Sequence, residues 1–321
     1  MIAVVIPCHR VSKHILGVLA DIGPECNAIY VVDDACPEQT GELVERDCRD
    51  PRVRVVHNPE NLGVGGATLA GYRAALEGGA DVIVKLDGDG QMDSSLLPRL
   101  VQPILDGEAD YAKGNRFFDV DGLDAMPRLR LIGNSLLSFT SKLSTGYWNI
   151  FDPTNGFTAI HASVARALPM HKISKGFFFE SDLLFRLGVL RAVVCDVPMP
   201  ARYGDEKSNL KIRHIVGEFA RKHVSNTFKR IFYNYYLRNF NIASIEIIAG
   251  FFLMGFGTWF GATRWLEGIE QNVAQTSGTV MVAALPVIVG FQLVLSALNY
   301  DLQNVPREVL HKRLVSGSRK P

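Results

Sequence analysis

The chain has 321 residues, 47% hydrophobic and 21% charged, with 34 Lys and Arg against 33 Asp and Glu. That is enough for one large domain plus an appendage, and a net charge of +1 argues against a global nucleic-acid-binding surface. Five cysteines, odd in number and with no C-x-x-C pair, argue for reduced thiols and against a disulfide framework or a zinc site. The sequence opens on a strand-like run with no basic segment and long apolar stretch, so no cleaved signal peptide is expected.

Residues 2–6 read as a buried strand that Pro7 stops, and 12–20 as a short helix. Residues 28–32 form a second apolar run ending in Asp33-Asp34. Residues 38–48 are helix-like, and 53–56 are a third strand. The loop Asn58-Pro59-Glu60-Asn61-Leu62-Gly63-Val64-Gly65-Gly66-Ala67 then enters a helix that ends near Gly78-Gly79. Strands alternating with helices predict an α/β fold with a mostly parallel sheet covered on both faces. Gly63, Gly65 and Gly66 fit a dinucleotide fingerprint poorly, because they follow the third strand and Thr68 holds the last position. A helix N-terminus packed close to the sheet or to a phosphate fits better.

The run Val82-Ile83-Val84-Lys85-Leu86-Asp87-Gly88-Asp89-Gly90-Gln91 organises the rest. It reads as a buried strand whose C-terminal end opens into an acidic turn, where open α/β sheets bind ligands. Asp87 and Asp89 can face one divalent cation, and hard oxygen ligands suit Mg²⁺ or Mn²⁺. The plain alternative is a solvated Asp-Gly turn. Downstream, 94–105 reads as a helix and 109–113 as a strand leading into Gly114-Asn115-Arg116. Arg128, Arg130 and Asn134 lie on a helical stretch to about 143. Asp152-Pro153-Thr154-Asn155-Gly156-Phe157 is a turn before a strand at 158–161. Phe177-Phe178-Phe179-Glu180-Ser181-Asp182 enters a helix, and 193–199 is a last strand.

In this order, Ile6-Pro7, Val32-Asp33-Asp34, Asn61-Leu62-Gly63 and Leu86-Asp87-Gly88-Asp89-Gly90-Gln91 resemble family 2 glycosyltransferases over roughly residues 1–235. The resemblance implies the GT-A nucleotide-sugar-binding fold. It implies donor contacts from Pro7, His9 and Asp34, and metal ligation by Asp87, Asp89 and Gln91, with Asp89 counted as catalytic. His9 departs from the Asn or Tyr usual there. Within the polyprenyl-phosphate branch, the resemblance puts Arg116, Arg130 and Asn134 on the acceptor phosphate, with Asn134 replacing a hydroxyl residue. Arginine's planar fork suits that anion; solvated surface arginines are the alternative. Glu180 and Asp182 match the family's acidic acceptor motif, and either is a candidate base. An N-terminal helix carboxylate favoured by the macrodipole is the bland reading of both. Arg202, Lys207 and Ser208 resemble a loop that closes over the donor diphosphate, here with one extra residue and Asn209 in place of Lys.

From Lys207 to Arg238 the chain turns basic and aromatic, which suits an RNA surface or, better, amphipathic helices on an anionic membrane. Residues 242–266 and 279–298 are each apolar and long enough to span a bilayer. Their linker, 267–278, has no Lys or Arg, while the flanks are basic, so both termini and the catalytic domain are expected in the cytoplasm. Glu246 needs a partner or the headgroups, Gly257-x-x-x-Gly261 suggests close helix packing, and Pro286 is a candidate kink. The expected organisation is a catalytic domain at 1–206, basic juxtamembrane helices at 207–241, a transmembrane hairpin at 242–300 and a cytoplasmic basic tail at 301–321. The expected activity is inverting transfer of a sugar from a nucleotide sugar to a polyprenyl phosphate at the inner membrane. Extension of a lipid-linked or polysaccharide glycan is the competitor. The partners are the nucleotide sugar, the lipid and the membrane, with no nucleic acid and homo-oligomerisation left open.

Overall fold

The structure is a computed structural model describing residues 1–118, 128–200 and 212–317, without the side chains of 128–132, 134, 212–215 and 315–317. The chain forms two compact units: Met1–Thr227 with Pro306–Pro321, and Phe228–Val305.

The first unit is built on a seven-stranded sheet. Its strands are β1 (Ile2–Cys8), β2 (Ala28–Asp33), β3 (Val53–His57), β4 (Val82–Lys85), β5 (Tyr111–Asn115), β6 (Thr158–His161) and β7 (Val194–Pro198). The spatial order is β3-β2-β1-β4-β6-β5-β7. All neighbours pair in parallel except β6, which runs antiparallel to both β4 and β5. The central strands β1, β2 and β4 are runs of Val, Ile and Ala almost wholly out of solvent, as strands covered on both faces must be. The covering helices include α1 (Ile15–Ala20), α2 (Thr40–Asp47), α3 (Gly63–Glu77), α4 (Leu97–Leu105), α5 (Arg128–Thr145), α6 (Ala162–Ala167), α7 (Phe179–Leu190) and α8 (Ile212–Ile231), whose last residues pass into the second unit.

Contrary to the sequence reading, Pro7 does not stop β1, which continues to Cys8 with Pro7 opposite Val32. The ladder between β1 and β4 ends at Val5 opposite Lys85, so Pro7 lies where one side of β1 has no strand asking for its missing N–H.

The antiparallel strand sets up a polar row in the apolar sheet. Thr158 stands opposite Lys85 on one side and Lys113 on the other, and Lys113 stands opposite Asp196. Residues directly opposite across strands share a face. Two lysines, a threonine and a carboxylate therefore line one face near the carboxyl ends of β4 and β5.

The second unit holds a π-helical segment (Phe232–Arg238) and two long helices, α9 (Ile242–Gln271) and α10 (Ser277–Gln303). Both helices are long and apolar enough to cross a membrane. Large apolar side chains such as Phe252 (70% exposed) and Trp259 (65%) point away from the protein. The expected close packing is present: a Cβ on Gly257 would lie 2.6 Å from the Ala283 carbonyl, and one on Gly261 3.1 Å from the Ala283 Cβ. Glu246 faces a partner, accepting a hydrogen bond from the Ser296 hydroxyl at 2.9 Å. Helix α10 runs on through Pro286.

The tail is more than a basic appendage. Helix α11 (Leu310–Gly317) belongs to the first unit. The carboxylate of Asp110, wholly buried, accepts the N–H groups of Leu310 and His311 and contacts His311 Nδ1, each at 2.8 Å.

Candidate active site

The acidic turn leaves β4 as expected. Asp89 Oδ1 accepts the Gln91 N–H at 3.0 Å, which closes the turn on itself. Asp87, half-buried, accepts a hydrogen bond from Lys85 Nζ at 2.8 Å. Lys85 is 1% exposed, and its ammonium also reaches Glu180 Oε1 at 3.1 Å. Burial alone would drive a proton off this amine, but the Asp87 and Glu180 charges outweigh it and hold Lys85 above its ordinary pKa. The turn at 152–157 closes the third side: a Cβ on Gly156 would lie 2.5 Å from Lys85 Nζ and 2.7 Å from Asp87 Oδ2. Only a glycine backbone approaches this closely. The acidic turn after β4, the turn at 152–157 and a carboxylate of α7 thus meet at one ammonium.

Glu180 and Asp182 lie in the first turn of α7, where the macrodipole favours carboxylates. Their surroundings separate them. Asp182 Oδ2 accepts the Ser174 N–H at 2.8 Å and lies 3.6 Å from Arg186, while Oδ1 accepts from Asn226 Nδ2 at 3.3 Å. Asp182 is thereby tied to the packing of α7 against its neighbours, and Glu180 is the carboxylate joined, through Lys85, to the acidic turn.

At the end of β5, Arg116 grips Asp152 with both prongs, Nε to Oδ2 at 2.8 Å and Nη2 to Oδ1 at 3.1 Å. Lys113 Nζ donates to the carbonyls of Asp152 and Asn155. Burial lowers the Lys113 pKa to about 8, against the pull of the Asp152 and Asp196 charges. Burial would raise the Asp152 pKa, but the Lys113 and Arg116 charges keep it below the ordinary value. Asp196, half-buried beside them, is pushed up by desolvation.

The residues expected to meet the donor, Pro7, His9 and Asp34, gather at the tips of β1 and β2. Asp34, 2% exposed, accepts Asn58 Nδ2 at 2.7 Å, the Leu62 N–H at 2.9 Å and the Gly63 N–H at 2.8 Å. Its carboxylate fastens β2 to the loop that opens α3. His9 lies exposed above it, its Nδ1 3.3 Å from the Asp34 carbonyl and 3.2 Å from Asn61 Nδ2. The glycines at the start of α3 do not present their N–H groups to a phosphate. Gly65 and Gly66 donate to the Lys175 carbonyl at 2.8 and 3.1 Å, which braces the segment leading into α7.

Arg202, Lys207 and Ser208 lie outside the described residues, as do the side chains of Arg130 and Asn134, whose backbone is in α5. Lys85 and Lys113 were missed in the sequence reading. Their signal was a lysine inside an otherwise apolar strand, a position where an ammonium must find a carboxylate or carbonyl partner.

The two carboxylates of the turn are the donor set to weigh against a cation. Among the described residues, no three His, Cys, Asp or Glu side chains gather as a metal-binding group. Two hard oxygen donors at a strand end suit an ion that completes its shell with water and substrate phosphate, as Mg²⁺ does.

Comparison with known proteins places the chain in a family. Residues 3–168 match the family model described as glycosyl transferase family 2. The chain is 36% identical over 186 residues to the undecaprenyl-phosphate mannosyltransferase of Micrococcus luteus, covering 57% of this chain and 75% of that protein. It is 31% identical over 188 residues to the polyprenol monophosphomannose synthase of Mycolicibacterium smegmatis, covering 57% and 70%. Among solved structures, glucosyl-3-phosphoglycerate synthase from Mycobacterium tuberculosis, in complex with Mn²⁺, UDP and glucosyl-3-phosphoglycerate, superposes with a TM-score of 0.53 at 19% identity, covering 72% of this chain and 79% of that one. The last likeness is one of fold, and the fold is GT-A. The chain belongs to glycosyl transferase family 2, and it is a glycosyltransferase.

Proposed function

We propose that this glycosyltransferase moves a sugar, with inversion, from a nucleotide sugar to a polyprenyl phosphate at the cytoplasmic face of the inner membrane. The observation that carries the reading is the meeting of Asp87 with Glu180 at Lys85, at the ends of strands whose chain continues into two long apolar helices. The names of the relatives from Micrococcus and Mycolicibacterium support the lipid phosphate as acceptor. The charge pattern around the hairpin supports a multi-pass anchor with the catalytic unit on the cytoplasmic side.

In this reading His9 meets the base, and Asp34 and Pro7 shape the floor beneath it. Asp87, Asp89 and Gln91 hold Mg²⁺ or Mn²⁺, which when bound neutralises charge growing on the departing diphosphate. Arg116, steadied by Asp152, and Arg130 with Asn134 four residues on, address the acceptor phosphate. Arg202, Lys207 and Ser208 close over the donor. A lipid phosphate is already an anion near neutral pH, so Glu180 orients it and has little proton to remove.

The test is to supply membranes containing the full-length protein with radiolabelled UDP- and GDP-sugars and a polyprenyl phosphate, then extract lipid. Label is expected in a single-sugar polyprenyl-phosphate product. Label found only in a longer lipid-linked glycan or in polymer would favour glycan extension and overturn the reading.

A further inference from the structure

We propose that Lys85 is a positioning residue that couples the cation site to the acceptor-side carboxylate, its one ammonium being shared between Asp87 and Glu180. The inference rests on the reading of Asp87 as a metal ligand and goes beyond it.

The geometry leaves the ammonium few alternatives. Lys85 is 1% exposed at the end of a fully buried strand, with Asp87 at 2.8 Å and Glu180 at 3.1 Å. Gly156 walls the remaining side, close to both Nζ and Asp87 Oδ2. Two carboxylates meeting at one buried point repel unless a cation stands between them. Lys85 is that cation, and it holds Asp87 by Oδ1.

The sharing makes the two ends interdependent. If Glu180 loses its charge, the ammonium turns wholly to Asp87 and competes there with a divalent ion. If Asp87 loses its charge, the ammonium turns to Glu180 and changes how that group meets the acceptor. Donor-side and acceptor-side halves of the site are thus joined through a side chain that is itself out of solvent.

The test is a double-mutant cycle read as Mn²⁺ affinity, with Mn²⁺ alone as the probe. Free Mn²⁺ is followed by electron paramagnetic resonance over the full-length protein in nanodiscs, and thermal melts check each variant for folding. Glu180→Gln is expected to weaken Mn²⁺ binding at least about threefold when Lys85 is present, within the coupling expected of contacting residues. In a Lys85→Met background the same change should leave the affinity within error. An equal shift in both backgrounds would overturn the proposal. So would an unchanged affinity in Glu180→Gln alone, which needs no Lys85 variant and decides the matter if Lys85→Met does not fold. Failure of the underlying reading looks different: Mn²⁺ binding that survives Asp87→Asn and Asp89→Asn together would remove the cation site itself.

Discussion

His161 and His311 stack face to face, ring centroids 4.1 Å apart and planes within 6°, although one ends β6 and the other lies in the C-terminal helix. His161 Nδ1 accepts the Ser163 N–H at 3.1 Å and so caps α6, which requires the neutral ring. Burial, with the His311 charge next, lowers the His161 pKa to about 4; Asp110 and Asp81 pull the other way, and Arg166 adds to the lowering. The sign follows. The unfolded imidazole takes its proton near 6.5 and the folded one near 4, so this stabilisation is whole above about pH 6.5 and is lost as pH falls toward 4. Amides of residues 310–317 should exchange faster at pH 5 than at pH 7 after correction for intrinsic rates. In His161→Asn, which keeps a capping side chain, most of that difference should disappear. Identical protection at both pH values would refute the link.

Gly156→Ala should injure the site with little change elsewhere. Its Cβ would lie within 2.7 Å of both Lys85 Nζ and Asp87 Oδ2, so the ammonium or the carboxylate has to move. Overpacking of this kind costs about 1–3 kcal/mol. We expect kcat to fall at least about tenfold, since misplacement by an ångström is felt strongly in oriented sites. A variant with unchanged kcat would show that Asp87 tolerates displacement.

Glu180 and Asp182, equivalent candidates in the sequence, should part company on mutation. Asp182→Ala strips acceptors from Ser174 and Asn226 and should cost about 1–3 kcal/mol of stability, while the folded fraction still turns over. Glu180→Gln should keep the fold and lower kcat less than about a hundredfold, the smallest loss usual for a true general base. A loss of about ten thousandfold would make Glu180 a base and point to a hydroxyl acceptor.

Much of this site was legible in local sequence, because local signals specify local geometry. The β-branched runs marked the strands, Asp87-Gly88-Asp89 marked the acidic turn, and the apolar spans marked α9 and α10. The remainder depends on partners far away in sequence. That Lys85 reaches Glu180 follows from where α7 comes to rest, 95 positions later. That Gly65 and Gly66 bind a carbonyl and no phosphate follows from the path of residue 175. Pro7 was read as a stop because its missing N–H counts only when a neighbouring strand asks for it, and strand order is not a local property.

The long apolar helices and the C-terminal helix serve the protein separately. Truncation after Arg238 removes both long helices, but it also removes α11. Of the four contacts made to the Asp110 carboxylate among the described residues, those from Leu310 N, His311 N and His311 Nδ1 go, and the Val193 N–H remains. Stripping donors from a buried carboxylate costs about 1–3 kcal/mol. A chain in which 239–305 is replaced by a short Gly-Ser linker keeps those donors and should melt higher than the simple truncation. Equal melting would show that α11 contributes nothing to the first unit. The linker chain keeps the basic residues between 207 and 238, each worth about 1 kcal/mol near an anionic surface. It should therefore bind anionic vesicles at low salt and leave them at high salt, because that attraction is screened. Full-length protein should stay in membranes through alkaline extraction, and its release would refute the spanning role of α9 and α10.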